Sequence, residues 1–171
     1  MLSRRCFSRH AASALVVLVA LAACGPSSGQ VKTARSARYK TDANVVFKAV
    51  VDATGLKHKV ERADAPTGVV VTVPRWYEPE GNAEDMDATG NAAQLQDGSV
   101  LIRFELRVAG GNGEFQVEII PHVSVMRSGY ARPVDLAPDD LAIPGWVHGK
   151  TDDLYLTIYE GLKAYEIKPG A

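Results

Sequence analysis

Gly149-Lys150-Thr151 has the ending of a phosphate-binding loop and stands directly before a predicted helix. In such a loop, backbone N–H groups and the lysine hold the phosphates. The place of the loop's first glycine is taken by Pro144, which has no backbone N–H to donate. We therefore interpret this segment as an ordinary loop whose threonine caps the following helix.

The acidic segment Asp85-Met86-Asp87-Ala88-Thr89-Gly90 resembles the start of an EF-hand calcium loop, with alternating oxygen ligands and a glycine for the turn. The closing bidentate acid is missing, because Gln96 stands at its position. The sequence favours a solvated acidic loop over a weak calcium site.

Three histidines, His58, His122 and His148, are far apart in sequence and lack the close spacing of common metal motifs. We expect them to be exposed single side chains and predict no metal site. The chain also has no Gly-x-Ser-x-Gly segment to present a nucleophilic serine. We predict no catalytic residues, with an enzyme built from residues distant in sequence as the alternative.

The N-terminal segment has the pattern of a secretory signal. The basic residues Arg4, Arg5 and Arg9, without any acid, precede an apolar run from Ala11 to Ala23 that ends at small residues. A membrane-spanning helix needs about 20 apolar residues, more than this run contains. Residues 1–23 are therefore predicted to be a cleaved signal peptide.

Leu21-Ala22-Ala23-Cys24 resembles the lipobox of bacterial lipoproteins. The resemblance implies transfer of diacylglycerol to the Cys24 thiol, cleavage before it and acylation of the new amino terminus. Several acyl chains anchor a protein stably, whereas one chain alone is marginal. We thus expect a membrane partner through the lipid anchor, and no cofactor besides this covalent lipid. Gly25 stands where an aspartate would retain well-studied lipoproteins in the inner membrane, so the outer membrane of a bacterial envelope is favoured.

Composition sets further limits. The chain has 171 residues, a formal net charge of −1 and two cysteines. That charge balance gives no indication of nucleic-acid binding. Because Cys6 leaves with the signal peptide and Cys24 carries lipid, the mature protein is predicted to lack disulfides.

Residues 24–36 are predicted to be a lipid-anchored flexible tether, since Gly25 to Gln30 is small and polar. A basic run without acids follows. It could contact anionic headgroups or form a solvated strand edge, and we favour the edge. The run consists of Lys32, Arg35, Arg38 and Lys40.

The remaining chain alternates between helical and extended patterns. Thr41-Asp42 caps a predicted helix over 43–54, which Gly55 ends in a left-handed conformation. Alternation from Leu56, a turn at 65–68 and the β-branched run 69–73 predict a hairpin.

The clearest alternation predicts a long second hairpin. Strands at 99–109 and 115–125 flank the turn 110–113, and each has one apolar and one polar face. A last helix is predicted from Thr151, with apolar residues at helical spacing. Residues 37–171 are therefore assigned to a single α+β domain, a two-layer sandwich of an antiparallel sheet with two helices packed on one face.

Two long irregular regions, 76–97 and 127–150, are where we expect a binding surface. The candidate partner contacts are Trp76, Tyr77, Tyr130 and Trp146. Aromatic residues and arginine dominate binding hot spots. For Trp146 packing and partner binding stay open, whereas Trp76 continues a strand pattern and is assigned to packing.

Val46-Phe47-x-x-Val50-Val51, followed by an extended segment and a β-branched strand, loosely resembles BamC-type helix-grip domains of lipoproteins that accompany β-barrel assembly. The resemblance spans about 39–73 and implies a non-catalytic accessory subunit held by protein contacts. It assigns no functional residue, and the single domain expected here departs from that family's pattern.

We thus expect a non-enzymatic envelope lipoprotein that binds an envelope protein complex. The alternative is a carrier that holds a small ligand, lipid or glycan between helices and sheet, which would show an apolar cavity of about 300 Å³ or more.

Overall fold

The computed structural model describes residues 26–87 and 95–168, with side chains for all of these except 84–87. Within this part of the chain, three helices pack on one antiparallel sheet of eight strands. The helices are α1 (Ser28–Ser36), α2 (Ala43–Lys57) and α3 (Gly145–Leu162), and a short 3₁₀ turn follows at Lys163–Tyr165. The strands are β1 (Tyr39–Lys40), β2 (Val60–Asp64), β3 (Val69–Thr72), β4 (Arg75–Tyr77), β5 (Ala83–Asp87), β6 (Val100–Gly111), β7 (Glu114–Val125) and β8 (Val134–Leu136).

The sheet is organised around the β6–β7 hairpin. These strands pair along their whole length, from Val100 opposite Val125 to Gly111 opposite Glu114. The predicted long hairpin is confirmed. On their other sides, β6 pairs with β3 and β4, and β7 pairs with β1 and β8.

Helix α2 begins as its sequence predicts, because the Asp42 side chain accepts a hydrogen bond from the Asn44 N–H at 2.8 Å. Its end differs from the prediction, since the helix continues through Gly55 to Lys57. Burial of Ala53 and Thr54 against the core stabilises this last turn, so glycine remains helical there. The extended segment therefore begins at Val60, and the predicted β2–β3 hairpin is confirmed from that residue.

Helix α3 starts at Gly145, earlier than the predicted start at Thr151. Pro144 has extended backbone angles and a fixed φ suited to the position before a helix. The Thr151 hydroxyl donates to the Val147 carbonyl at 3.0 Å inside the helix, so it caps nothing. Trp146 consequently lies in the first turn of α3 and not in a loop.

Helix α1 occupies most of the predicted flexible tether over 24–36. Ser27 and Gln30 form a capping box, which satisfies free N–H groups at the start of the helix. Arg35 forms an ion pair of 2.6 Å with Asp152 of α3, and Ala34 is buried. The segment is too polar to indicate a helix by itself, so its contact with α3 decides the conformation.

The core lies between the helices and the sheet. It contains Val46 and Val50 of α2, Leu154 and Ile158 of α3, and the inward residues of the central strands. The α+β sandwich with helices on one face is confirmed, with α1 as a third helix against α3. None of the helices in 26–87 and 95–168 is long and apolar enough to span a bilayer.

Candidate functional site

Two cations and two aromatic rings meet where the start of α3 approaches β4. The ring centroids of Tyr77 and Trp146 are 5.5 Å apart. The Lys150 Nζ lies 4.5 Å from the Tyr77 centroid and 5.5 Å from that of Trp146, and the Arg75 Cζ lies 5.9 Å from Tyr77. These are cation–π distances. Together with His58, these four residues are called the basic–aromatic cluster below.

Local structure holds Trp146 in place. Its indole N–H donates to the Pro79 carbonyl at 2.8 Å. Gly81 closes the turn after β4 with a φ of +95°, and a Cβ there would lie 2.7 Å from the Trp146 ring. Only glycine allows this approach without displacing the ring. The turn and the first residues of α3 therefore position each other.

His58 follows α2, and its ring centroid lies 4.9 Å from that of Phe104 in the core. Burial first, and then the positive charges of Lys150, Arg75 and Lys57, together lower the pKa of His58 from 6.5 to about 4. The imidazole is therefore neutral at pH 7. The expectation of an exposed histidine is wrong for His58, because the ring is half-buried.

Lys150 is also only partly exposed. Burial lowers the pKa of its ammonium, with a further lowering by Arg75 and an opposing effect of Asp153. Within the described residues, Lys57, Arg75 and Lys150 have no carboxylate at ion-pair distance. Arg75 stands opposite Asp87 of the acidic strand β5 in the register of the sheet, so acidic residues border the cluster.

The structure brings two of the predicted partner contacts together and separates the other two. Tyr77 and Trp146 belong to the basic–aromatic cluster. Trp76 is 3% exposed and faces the opposite side of β4, where its Nε1 has no acceptor among the described residues. Tyr130 is 59% exposed in the loop between β7 and β8, and it makes no described ring contact with the cluster. Cys24 lies outside the described residues.

Sequence reasoning missed His58 and Lys150 as parts of a site. Lys150 is found in the Gly149-Lys150-Thr151 segment, which the structure places inside α3 and not before a helix. The position of His58 between Lys57 and Lys59 was a local signal of a positive environment. Its approach to Phe104 and Lys150 depends on tertiary packing.

The sheet face opposite the helices carries two open grooves. One has a volume of about 340 Å³ and includes Pro74, Leu101 and Leu136 in its lining, and the other has about 270 Å³. Arg103 lines both grooves, and it has no ion pair among the described residues. Glu105 lies beside Arg103 at the smaller groove. A hydrogen bond from Arg107 is the main cause that lowers the pKa of the Glu105 carboxyl, and a hydrogen bond from His122 lowers it as well.

No group of three or more metal-ligating side chains is found where the structure describes side chains. The calcium-loop candidate at 85–96 falls mostly outside that part, because residues 88–94 and the side chains of 84–87 are not described. His122 and His148 are exposed on separate elements.

No protein-family model matches the chain, and the curated proteins include none with significant sequence similarity to it.

Proposed function

We propose that this protein is a lipid-anchored, non-enzymatic component of a bacterial cell envelope that binds a protein partner through the basic–aromatic cluster. The basic segment, apolar run and Leu21-Ala22-Ala23-Cys24 support the anchor. Gly25 favours the outer membrane over the inner one.

One observation carries the partner-binding role. Lys150 and Arg75 lie on the ring of Tyr77, next to a half-buried tryptophan. Tryptophan, tyrosine and arginine are the residue types most enriched at binding hot spots. An exposed guanidinium beside a partly open indole offers a partner both charged and apolar contacts.

A second candidate is a small-ligand carrier, and the groove of about 340 Å³ favours it. That groove lies on the outer face of the sheet and has charged as well as apolar lining, including Arg103, Asp135 and Leu136. A lipid or glycan would therefore bind there and not between helices and sheet, where buried side chains form the core.

Mass spectrometry of protein extracted from cell membranes tests the anchor. We expect an N-terminal peptide that begins at Cys24 and carries acyl chains, and we expect Cys24→Ser to abolish both modification and membrane retention. An unmodified thiol on a protein free in the soluble fraction would contradict the proposal.

Photocrosslinking in intact cells tests the partner. A photoreactive residue at Glu80, exposed on the turn under Trp146, should give a discrete protein adduct, whereas one at Ala109, exposed on the β6–β7 hairpin, should not. Lys150→Gln in the same chain should weaken the adduct. Equal adducts from both positions, or none, would count against the proposed surface.

A further inference from the structure

We propose that the two loops on either side of β8 lie on the lipid bilayer, with Leu141 and Tyr130 entering its interface. This proposal rests on the proposed function for the acyl anchor on Cys24, and it adds which face of the folded body contacts the membrane. The occupant of this surface is lipid, and the contact is apolar.

The first support is the exposure of the two side chains. Leu141 is fully exposed, and Tyr130 is 59% exposed. Val45 and Tyr165 lie at the other end of the sheet and are 38% and 40% exposed. Leu56 is also exposed, but it lies on α2. Single exposed apolar residues are ordinary on a protein surface, so the position of Leu141 and Tyr130 decides what they mean.

Hydrogen bonds fix Leu141 at the tip of its loop. The Asp140 N–H donates to the Ala137 carbonyl at 3.0 Å, and the Asp140 carbonyl accepts from the Ile143 N–H at 3.1 Å. The Asp140 carboxylate accepts from the Ala142 N–H at 2.8 Å. Ile143 packs against the core. Because the turn is already ordered, insertion of Leu141 into an apolar phase costs little backbone entropy.

Both loops lie at one corner of the sheet. Strand β8 pairs with the end of β7, with Leu136 opposite Val123, on the side away from β6. Loop 126–133 therefore projects beyond the end of β7, and loop 137–144 returns from β8 to the start of α3. The Tyr130 N–H donates to the Arg127 carbonyl at 3.1 Å within the first loop. Tyrosine is enriched where membrane meets water.

Helix α1 begins at the same corner. Beyond the end of α3, the Arg38 carbonyl accepts from the Ile167 N–H at 2.8 Å, whereas Arg35 pairs with Asp152 inside α3. Followed backwards, the chain thus runs along α3 from its end towards its start. Over the roughly 10 Å from Arg35 to Ser28, at about 1.5 Å per residue, α1 reaches the level of the first turns of α3. Loop 137–144 leads into those turns.

An anchor on Cys24 would therefore bring the bilayer to these loops. The segment from Cys24 to Ser28 spans at most roughly 14 Å. Strand β6 has 12 residues, and such a strand is roughly 40 Å long. The β6–β7 turn at its far end, with Val45 and Tyr165 near it, lies beyond the reach of that segment. The loops on either side of β8 lie within it.

Lipid charge has no part in this contact. Asp139 and Asp140 directly precede Leu141, whereas Arg127 and Arg132 belong to the loop of Tyr130. The two loops thus carry opposite charges, and their common feature is an exposed apolar side chain. Burial of apolar area at the headgroup–acyl boundary is a sufficient source of binding.

The experiment uses the full, lipidated protein in phosphatidylcholine vesicles. An environment-sensitive dye is attached to Leu141→Cys or Tyr130→Cys, with Val45→Cys as the matched control. We expect the dye at 141 and 130 to shift its emission to shorter wavelengths. Quenching by spin-labelled lipids should place it within about 5–10 Å of the headgroup–acyl boundary. The dye at 45 should show neither effect. Equal quenching at all three positions, or none at 141, would overturn the proposal.

A second set of variants tests whether the two side chains act together. Leu141→Ser should weaken the lipid quenching of a dye at 130, because the body loses one of its two apolar contacts. Val45→Ser is the control and should leave that quenching unchanged. Since Leu141 is fully exposed, its replacement should leave thermal unfolding unaltered. Equal quenching in both variants would contradict the role of Leu141.

Other occupants give different results. Phosphatidylglycerol in the vesicles or high salt should leave the quenching at 141 unchanged, and quenching that needs anionic lipid and disappears in salt would replace the proposal by a charge contact. An emission shift in detergent that grows with protein concentration, without quenching by vesicle lipids, would replace it by contact between two copies of the chain.

Mass spectrometry of the same samples separates the two proposals. An acylated Cys24 peptide, together with a dye at 141 that stays in water, would overturn the membrane contact and leave the proposed anchor intact. A Cys24 peptide without acyl chains would overturn the proposed anchor, and the membrane contact with it. Acylation together with quenching at 141 and 130, and none at 45, is the expected result.

Discussion

At the scale of single residues, His58 combines a core contact with a charged environment. Its ring packs beside Phe104, while Lys150, Arg75 and Lys57 lie on the solvent side. Both burial and positive neighbours favour the neutral imidazole. The stability of the fold should therefore depend on pH through this one side chain.

The first prediction concerns that pH dependence. The folded-state pKa of His58, about 4, lies below its ordinary value of 6.5, so the unfolded chain binds more protons between these limits. The contribution of His58 to stability is fully present above about pH 6.5 and is lost as the pH falls to about 4. We expect the free energy of unfolding to fall by ~2 kcal/mol over this range. This is less than the full pKa shift implies, because solvent screens the partly exposed ring.

Urea unfolding at pH 7 and pH 4.5 measures this loss, with His58→Gln as the comparison. The variant should lose less stability than the natural protein on acidification. A His58 imidazole that titrates near 6.5 in NMR spectra would contradict the prediction.

The second prediction concerns Gly81. Because its φ is +95° and a Cβ would lie 2.7 Å from the Trp146 ring, Gly81→Ala should displace the indole and destabilise the fold by ~1–3 kcal/mol. Tryptophan fluorescence and thermal unfolding measure both effects. Gly149→Ala is the control, since it has open space inside α3 and should stabilise the helix by ~0.5–1 kcal/mol. Indistinguishable spectra for Gly81→Ala and the natural protein would refute the expectation.

At the scale of elements, strand β7 has a gap in its pairing. On the side away from β6, β1 pairs with its start and β8 with its end, so residues 116–122 have no strand partner there in the described part of the chain. Tyr155 of α3 covers this gap by accepting a hydrogen bond from the Ile119 N–H at 2.9 Å, and Pro121 has no N–H to offer. Both features protect the edge from pairing with another chain.

The third prediction follows from this contact. Tyr155→Phe should destabilise the fold by ~1–2 kcal/mol, because the Ile119 N–H loses its acceptor. Faster hydrogen exchange of the Ile119 amide would accompany the lower midpoint in urea. Tyr130→Phe removes an exposed hydroxyl and should change neither measurement. An unchanged Ile119 exchange rate in Tyr155→Phe would rule out the role assigned to this hydroxyl.

The fourth prediction concerns how α1 is held. Arg35 pairs with Asp152 at 2.6 Å and lies 5.6 Å from the centroid of Tyr155. Arg35→Ala should speed hydrogen exchange across α1 while lowering global stability by ~1 kcal/mol or less, because the pair is partly exposed. Lys32→Ala is the control, since Lys32 is exposed and makes no described ion pair. Equal exchange in both variants would show that Arg35 does not hold the helix.

At the scale of the whole molecule, stability depends on packing between the helices and the sheet. No cysteine occurs after Cys24, so no disulfide crosslinks the described residues. Leu154 of α3 is fully buried among side chains of α2 and the sheet. The contact of α1 with α3 extends this packed body almost to Cys24.

That contact bears on the proposed anchor. With α1 beginning at Ser28, the residues between Cys24 and the helix can span at most roughly 14 Å, at about 3.5 Å per residue. A lipid on Cys24 would therefore hold the folded body close to the membrane, and a protein partner would be reached near the bilayer surface.

The fifth prediction tests the core. Leu154→Ala should cost ~2–5 kcal/mol, because it removes buried methyl groups and leaves a cavity. Chemical denaturation measures the loss. Leu141→Ala, at a fully exposed leucine, should stay within ~0.5 kcal/mol of the natural protein. Similar losses for the two variants would place Leu154 outside the core.

The local pattern of the sequence determined the long hairpin, the existence of α2 and α3 and the class of the fold. In these segments, alternation or helical spacing of apolar residues identifies the side that must be buried, as Val100, Ile102, Phe104 and Leu106 show along β6. The Cys24 motif, which is also local, remains a prediction.

Only the tertiary structure decided the helical state of α1, the early start of α3 and the basic–aromatic cluster. His58 follows α2, Tyr77 lies in β4 and Lys150 lies in α3, so their distances depend on how the helices pack on the sheet. No local pattern encodes those distances. The same packing decides that Trp76 is covered on the opposite face while its neighbour Tyr77 meets Trp146, because successive side chains of a strand face opposite ways.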